Sequence, residues 1–260
     1  MSTMTDGAAL RLDEDLAEGY TSAPQRIRVM SEHWVGQHVF CPACGGNLHH
    51  YPNNRKVADF RCPACGLDFE LKSGKGPMQP RVPDGAYNSM VERIRSSTAP
   101  AFLFLQYDAA LSVRNLFVTP PHFLTEQIIE RREPLRDTAR RAGWVGCNIL
   151  TGHIPSGGRI FYVRNGEARP MEEVRALYGS TAFLTGQSMR RRGWLVSIMA
   201  CIEELPDRRF SLADLYRFVP RLRAQFPRNQ HIEEKIRQQL QVLRDSGYLI
   251  FEGRGIYRLA

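Results

Sequence analysis

Two Cys-Pro-Ala-Cys pairs, Cys41 to Cys44 and Cys62 to Cys65, constrain this chain more than any other feature. Residues 45–61 separate them, a spacing that lets two knuckles close a tetrahedral four-thiolate shell around one Zn2+ ion. Four thiolates leave no open coordination position, so the metal is expected to be structural and not to activate water. Gly45 and Gly66 follow the two pairs directly, where the backbone can turn its amides toward the sulfurs. A pair of merely buried or disulfide-bonded cysteine couples is the alternative, and it leaves the spacing unexplained. His49 and His50 could compete as ligands, but the cysteines already complete the shell. Cys147 and Cys201 lie elsewhere in apolar surroundings, as buried thiols of a reducing compartment would.

The chain has 260 residues, of which 43% are hydrophobic, enough for one large core or two modest ones. Its formal charge of +8 comes mostly from arginine. Such a surface suits a phosphate polymer and suits an acidic membrane less well without an amphipathic anchor. No apolar run reaches the roughly eighteen residues of a membrane helix. Residues 1–7 have neither the basic nor the apolar region of a secretory signal, so a soluble cytoplasmic protein is expected.

Residues 1–25 read as polar or weakly helical, with 1–9 loose. From Trp34 to Val174 the pattern is mixed α/β. Ala101–Tyr107, Asn115–Val118 and Ile160–Val163 read as buried strands, the last followed by an Asn165-Gly166 turn. Tyr87–Arg95 and Thr125–Arg132 read as helices. A Gly, Ser and Thr-rich stretch ends at Arg190-Arg191-Arg192-Gly193, which divides the chain into domains at 1–187 and 188–260. Beyond it, Trp194, Ile198, Cys201, Ile202 and Leu205 recur at helical spacing as one core-facing stripe. Ser211 with Asp214 resembles a capping box opening a second helix through Leu215, Phe218 and Leu222. A third helix is expected from Asn229 to Ser246, with Ile232, Ile236, Leu240 and Leu243 inward and Arg237, Gln238, Gln241 and Arg244 outward. Gly247 stops it, and strands at 248–251 and 256–259 follow. Helix, helix, helix, hairpin is the order of a winged helix.

Asp59, Glu70 and Lys72 bracket the second cysteine pair. Period-two geometry puts Glu70 and Lys72 on one face of a strand, with Phe69 and Leu71 on the other. The knuckle turns the chain back, so Asp59 can lie across from Glu70. Two carboxylates sharing a hard cation are what Mg2+ asks for. Lys72 would then orient or deprotonate the attacking water and offset charge growing on a phosphorane. The plain alternative is a salt-bridged strand face. The basic, Gly-bearing segment from Lys72 through Lys75 to Gly76 favours a phosphate backbone beside it.

The strands around the zinc knuckle, together with Asp84-Gly85-Ala86-Tyr87, residues 138–149 and residues 235–245, resemble the DpnI family of restriction endonucleases. The likeness spreads from about Arg26 to Leu259. It implies a PD-(D/E)XK restriction-endonuclease-like α/β domain with an inserted four-cysteine zinc site, followed by a winged-helix domain. The implied activity is Mg2+-dependent cutting of double-stranded DNA at GATC when the adenine is methylated. Asp59, Glu70 and Lys72 match the catalytic triplet, Asp59, Glu70 and Leu71 the magnesium site, and Cys41, Cys44, Cys62 and Cys65 the zinc ligands. Ala58 stands where the family pattern has proline, a residue with no chemical part.

The resemblance also suggests that both domains read the methylated site. Trp144, after Arg136, Arg140 and Arg141, is a candidate for the apolar wall that senses methyl groups, or else a core tryptophan. Arg140 and Arg141 are assigned to phosphates. Asn229, His231, Lys235, Arg237, Gln238 and Gln241 would enter the major groove, and Arg254 at the wing turn would meet the backbone or minor groove. Each could instead belong to a solvated face. A bacterial cytoplasmic protein is implied, with a monomer allowed; an upstream acid, Glu14 or Glu32, is left open as a further metal contact. A zinc-ribbon transcription regulator with a winged helix is the second reading, but it leaves the Asp59, Glu70 and Lys72 arrangement without a purpose. An RNA-processing enzyme is the third, disfavoured because the A-form major groove is closed to side chains.

Overall fold

The computed structural model describes residues 10–51 and 58–260. The loose segment expected at 1–9, and Val57, lie outside the described residues. α1 (Ala23–His38) leads into β1 (His49–His50), β2 (Phe60–Arg61) and β3 (Asp68–Lys75). β4 (Val82–Ala86) and α2 (Tyr87–Arg95) cross over to β5 (Ala101–Tyr107) and β6 (Val113–Thr119). β7 (Ile129–Arg131), β8 (Gly146–Ile149), β9 (Ile160–Arg164), β10 (Glu167–Ala168) and α3 (Met171–Ser180) follow. The main sheet has the order β1-β2-β3-β5-β6-β9-β10, and a smaller one has the order β4-β8-β7. Only the β3–β5 pair of the main sheet is parallel, as the intervening α2 crossover requires.

β5 shows why this sheet is buried on both faces. Its Ala101, Leu103 and Leu105 join the core with Trp34 and Val35 of α1, while Phe102 and Phe104 join Met90 and Ile94 of α2 on the other side. A strand covered twice reads as a continuous apolar run, and Ala101–Leu105 is one. The Asn165-Gly166 turn is present: both residues have left-handed φ, 54° and 82°, and Glu167 pairs with Arg164 as in a two-residue hairpin.

Residues 125–132 do not form the helix expected of them. A single 3-10 turn, Glu126–Ile128, passes directly into β7. Ile128 and Ile129 are both buried, and Glu130 is held by the side-chain amide of Asn148 on β8 at 2.7 Å. Adjacent β-branched residues with a partner strand at hand favour the extended form.

The C-terminal unit comprises α4 (Met189–Glu203), β11 (Arg209–Ser211), α5 (Leu212–Tyr216), α6 (Val219–Gln225), α7 (Ile232–Asp245), β12 (Leu249–Gly253) and β13 (Ile256–Leu259). Ser211 and Asp214 do form a reciprocal capping box. The single helix expected after it is broken in two, because Pro220 has no N–H to donate and is accommodated only in the first turn of a new helix. β11 was not anticipated; it pairs with β13 in a sheet of order β11-β13-β12. α7 starts at Ile232 and not at Asn229, since the Asn229 side chain accepts the His231 amide at 2.8 Å in a local turn that competes with helix.

The stripe expected on α4 is too narrow. Leu195, Val196 and Met199 are buried as well as Trp194, Ile198 and Cys201, because α4 is covered by both units. Phe123 and Leu184 share its core cluster, the Arg192 guanidinium donates to the Pro121 carbonyl at 3.1 Å, and the Glu203 carboxylate accepts the Ser156 amide at 2.8 Å. Among the described residues, no helix is long and apolar enough to cross a membrane.

Candidate active site and metal centre

The Sγ atoms of Cys41, Cys44, Cys62 and Cys65 lie within 4.8 Å of one another. Two near-identical loops bring them there. The Gly45 amide donates to the Cys41 carbonyl and the Gly66 amide to the Cys62 carbonyl, each at 2.8 Å. Both glycines take the left-handed φ that these turns need, 81° and 79°. A Cβ on Gly46 would stand 3.3 Å from the Cys62 sulfur and 3.4 Å from that of Cys44, so a side chain there would press on the cluster. Amides of Ala43 and Cys44 point at the Cys41 sulfur, and the Leu67 amide at that of Cys65. An all-sulfur donor set fits Zn2+, and the cluster is a candidate zinc site.

The second loop of this cluster is the β2–β3 turn, which sets where Asp59 falls. Phe60 pairs with Phe69, so Asp59 stands opposite Glu70, and the Asp59 amide donates to the Phe69 carbonyl at 2.9 Å. In return the Leu71 amide donates to Asp59 Oδ2 at 2.7 Å. Phe69 and Leu71 pack in the core with α1, whereas Glu70 and Lys72, in register with Phe102 and Phe104, project from the α2 face, as the period-two pattern predicts.

Three further groups close in: Arg93, which the sequence pattern did not single out, Asp84, quoted only as part of the family resemblance, and Glu32, left open there as a further metal contact. Lys72 Nζ lies 3.6 Å from Glu70 Oε2 but only 2.7 Å from Asp84 Oδ1 on β4. Arg93 of α2 approaches Glu70 at 4.0 Å. Glu32 of α1 binds the Arg28 guanidinium at 2.6 Å and lies 3.0 Å from His50 Nε2. Glu14, the other upstream acid considered, pairs with Arg26 on the exposed surface.

Burial pushes the Asp59 pKa up; the Leu71 amide opposes this and the negative charge of Glu32 adds to it. Burial likewise raises the pKa of Glu70, with Lys72 acting against the shift and Asp84 and Asp59 for it. For Lys72 burial acts downward, but Asp84 and Glu70 outweigh it and hold the pKa above the usual lysine value. The result is a concentration of negative charge around one ammonium. A groove of about 360 Å³, lined in part by Arg28, Glu32, Leu71 and Lys72, opens beside it.

Lys75 is exposed at the end of β3. Arg136, Arg140 and Arg141 are exposed on the loop joining β7 to β8, which is tied at its neck by Leu135 and Trp144. Trp144 is half-buried and not a core residue: the Arg141 guanidinium lies 4.6 Å over its ring, and the ring edge fills the space where Gly146 lacks a side chain. On α7, Arg237, Gln238 and Gln241 share an exposed face, and Lys235 donates to Gln238 at 2.7 Å. His231 is exposed just before the helix, whereas Asn229 is partly buried in its turn, outside α7. Arg254 is exposed at the wing tip with φ 50°, flanked by Gly253 and Gly255.

The model of the Dam-replacing family DpnI matches residues 8–187, well over half of the chain. This protein belongs to the DpnI family. The model of that family's Dam-replacing HTH domain matches residues 190–259. The DpnI family includes restriction endonucleases, and its helix-turn-helix domain points to DNA as the partner. In this member α7 is the helix that the turn after α6 sets on the surface.

Proposed function

We propose that this protein is a Mg2+-dependent endonuclease of the bacterial cytoplasm that cuts double-stranded DNA at adenine-methylated GATC sites. Its nuclease domain would span 1–187 and its winged-helix domain 188–260. The observation that carries the chemistry is the meeting of Asp59, Glu70 and Lys72 at one edge of β3, two of them half-buried carboxylates whose pKa values are pushed up by desolvation. Carboxylates crowded in this way fit a divalent cation, which would relieve their repulsion.

Asp59 and Glu70 are the residues to hold the ion. Leu71 is a third through its carbonyl, because a strand residue's N–H and C=O point to the same side and its N–H is already on Asp59. Mg2+, when bound, supplies Lewis-acid stabilisation of the phosphoryl oxygens and a more acidic water. Lys72 acts as a cation that orients water and offsets charge on the phosphorane. In the metal-free protein Asp84 and Glu70 favour the charged form of Lys72, which suits this role.

The zinc cluster would serve to fix the turn that aims Asp59. Lys75, Arg140 and Arg141 would neutralise phosphates, the α7 face with His231 would enter the major groove, and Arg254 would meet the backbone beside it. The half-exposed Trp144 ring is the apolar surface on offer to an adenine methyl. GATC and methyl dependence rest on the family.

The test is incubation with Mg2+ and plasmid from methylating and non-methylating hosts, beside the Glu70→Ala variant. Fragments from methylated plasmid alone, lost in the variant, are the expected result. Equal cutting of both plasmids would remove the methyl dependence, and no cutting of either would leave a DNA-binding regulator.

A further inference from the structure

Asp84 belongs to the Asp84-Gly85-Ala86-Tyr87 segment, to which the nuclease reading gives no role. It lies on β4, in the smaller sheet, and reaches the centre from outside the sheet that carries Glu70 and Lys72. What delivers it is a slip in the β4–β8 register: Asp84 pairs with Cys147, Ala86 with Gly146, and Gly85 is left over between them. Bulges of this kind redirect a side chain, and they gather beside active sites.

We propose that Asp84 is a positioning residue that holds the Lys72 ammonium at the nuclease centre. The inference rests on the reading of Lys72 given above. Asp84 Oδ1 accepts Lys72 Nζ at 2.7 Å and its own neighbour's amide, Gly85 N, at 2.8 Å, so the carboxylate is fixed before it receives the lysine. Glu70 is the weaker holder at 3.6 Å, and it is also a candidate metal ligand whose charge the cation would claim. The Phe102 ring, 5.5 Å from Nζ, walls the ammonium on one side. Asp84 Oδ2 is buried without a hydrogen-bond partner among the described residues. A carboxylate kept for stability alone would have both oxygens satisfied; one left half-satisfied against a flexible lysine is better explained by placement of that lysine.

A double-mutant cycle on the full chain tests this, with Mg2+, methylated supercoiled plasmid and single-turnover nicking, which follows even slow cutting. Asp84→Ala is expected to lower the cutting rate by about 10- to 100-fold while KM for DNA moves less than about threefold. In the Lys72→Ala background the same change should cost less than about twofold, because its only route to the chemistry is gone. Asp84→Asn, which keeps the shape and one acceptor oxygen, should fall between wild type and Asp84→Ala, and it carries the cycle if the alanine variant does not fold. Equal losses with and without Lys72 would make Asp84 a structural residue and overturn the proposal, as would full activity of Asp84→Ala. Lys72→Ala cutting at the wild-type rate would instead bring down the reading of the centre itself, and the positioning role with it.

Discussion

The carboxylate of Asp59 accepts the main-chain amide of Leu71 at 2.7 Å, so the acid that precedes the second cysteine turn is fastened to the strand that carries Glu70 and Lys72. One hydrogen bond thus joins the two arms of the hairpin at the point where the candidate centre forms. Because Cys62 and Cys65 sit in the turn between those arms, the four-cysteine cluster and the acidic centre share a single structural unit.

Replacing Cys62 by Ser should therefore lower zinc content, thermal stability and cutting together, since the cluster fixes the turn that places Asp59. Metal analysis, a melting curve and the plasmid assay on one preparation would check it. A Cys62→Ser protein that is stable and fully active would refute the coupling.

Asp59→Asn and Glu70→Gln should each stabilise the metal-free protein at neutral pH, by on the order of 1 kcal/mol, as functional-site substitutions commonly do. Both carboxyls have raised pKa values in the fold, so the native state holds more protons than the unfolded chain just above the ordinary carboxylate range. Stability from these groups accordingly falls as pH rises through that window, and each variant should flatten the fall. Mg2+ should raise the melting temperature of the wild type more than that of either variant. Melting curves across pH, with and without Mg2+, decide the matter.

His122 predicts the opposite slope. Burial first, then the Arg192 charge, lowers its pKa from 6.5 to about 4, and its ring hydrogen-bonds Thr181 at 2.7 Å. The folded state keeps this histidine neutral, so its contribution is complete above pH 6.5 and is lost as pH falls toward 4, roughly 3 kcal/mol in all. Titrating the His122 ring by NMR should give the low value, and His122→Gln should reduce the acid sensitivity of unfolding. A ring that titrates near 6.5 would contradict the burial argument.

Arg140→Ala and Arg141→Ala should weaken binding to all duplexes alike and lower the salt slope by about one each, the mark of a phosphate contact. Gln238→Ala and Gln241→Ala should weaken the cognate site by about 1–3 kcal/mol and leave non-specific binding nearly unchanged. Trp144→Ala should narrow the difference between methylated and unmethylated duplexes. Fluorescence anisotropy without divalent cation, over a range of salt, separates the three patterns.

What could be read in the sequence was local. Cysteine spacing anticipated the cluster, alternation put Glu70 and Lys72 on one face, Asn165-Gly166 marked its hairpin, and Ser211 with Asp214 marked the cap. Each of these is decided by residues a few positions apart, through φ preference, strand period or a cap hydrogen bond. The misreadings at 125–132 and around Pro220 came from the same local rules where a partner strand or a missing N–H competed.

The sequence by itself determined that a four-cysteine unit would carry an acidic, lysine-bearing strand and that a helix-rich DNA-binding unit would follow it. Only the tertiary structure decided which groups gather around Asp59, Glu70 and Lys72. Asp84 arrives from a second sheet through a bulge, Glu32 from the face of α1, and Arg93 from the crossover helix. No periodicity links such residues, because their proximity is set by how layers pack and not by how neighbouring peptides are arranged along the chain.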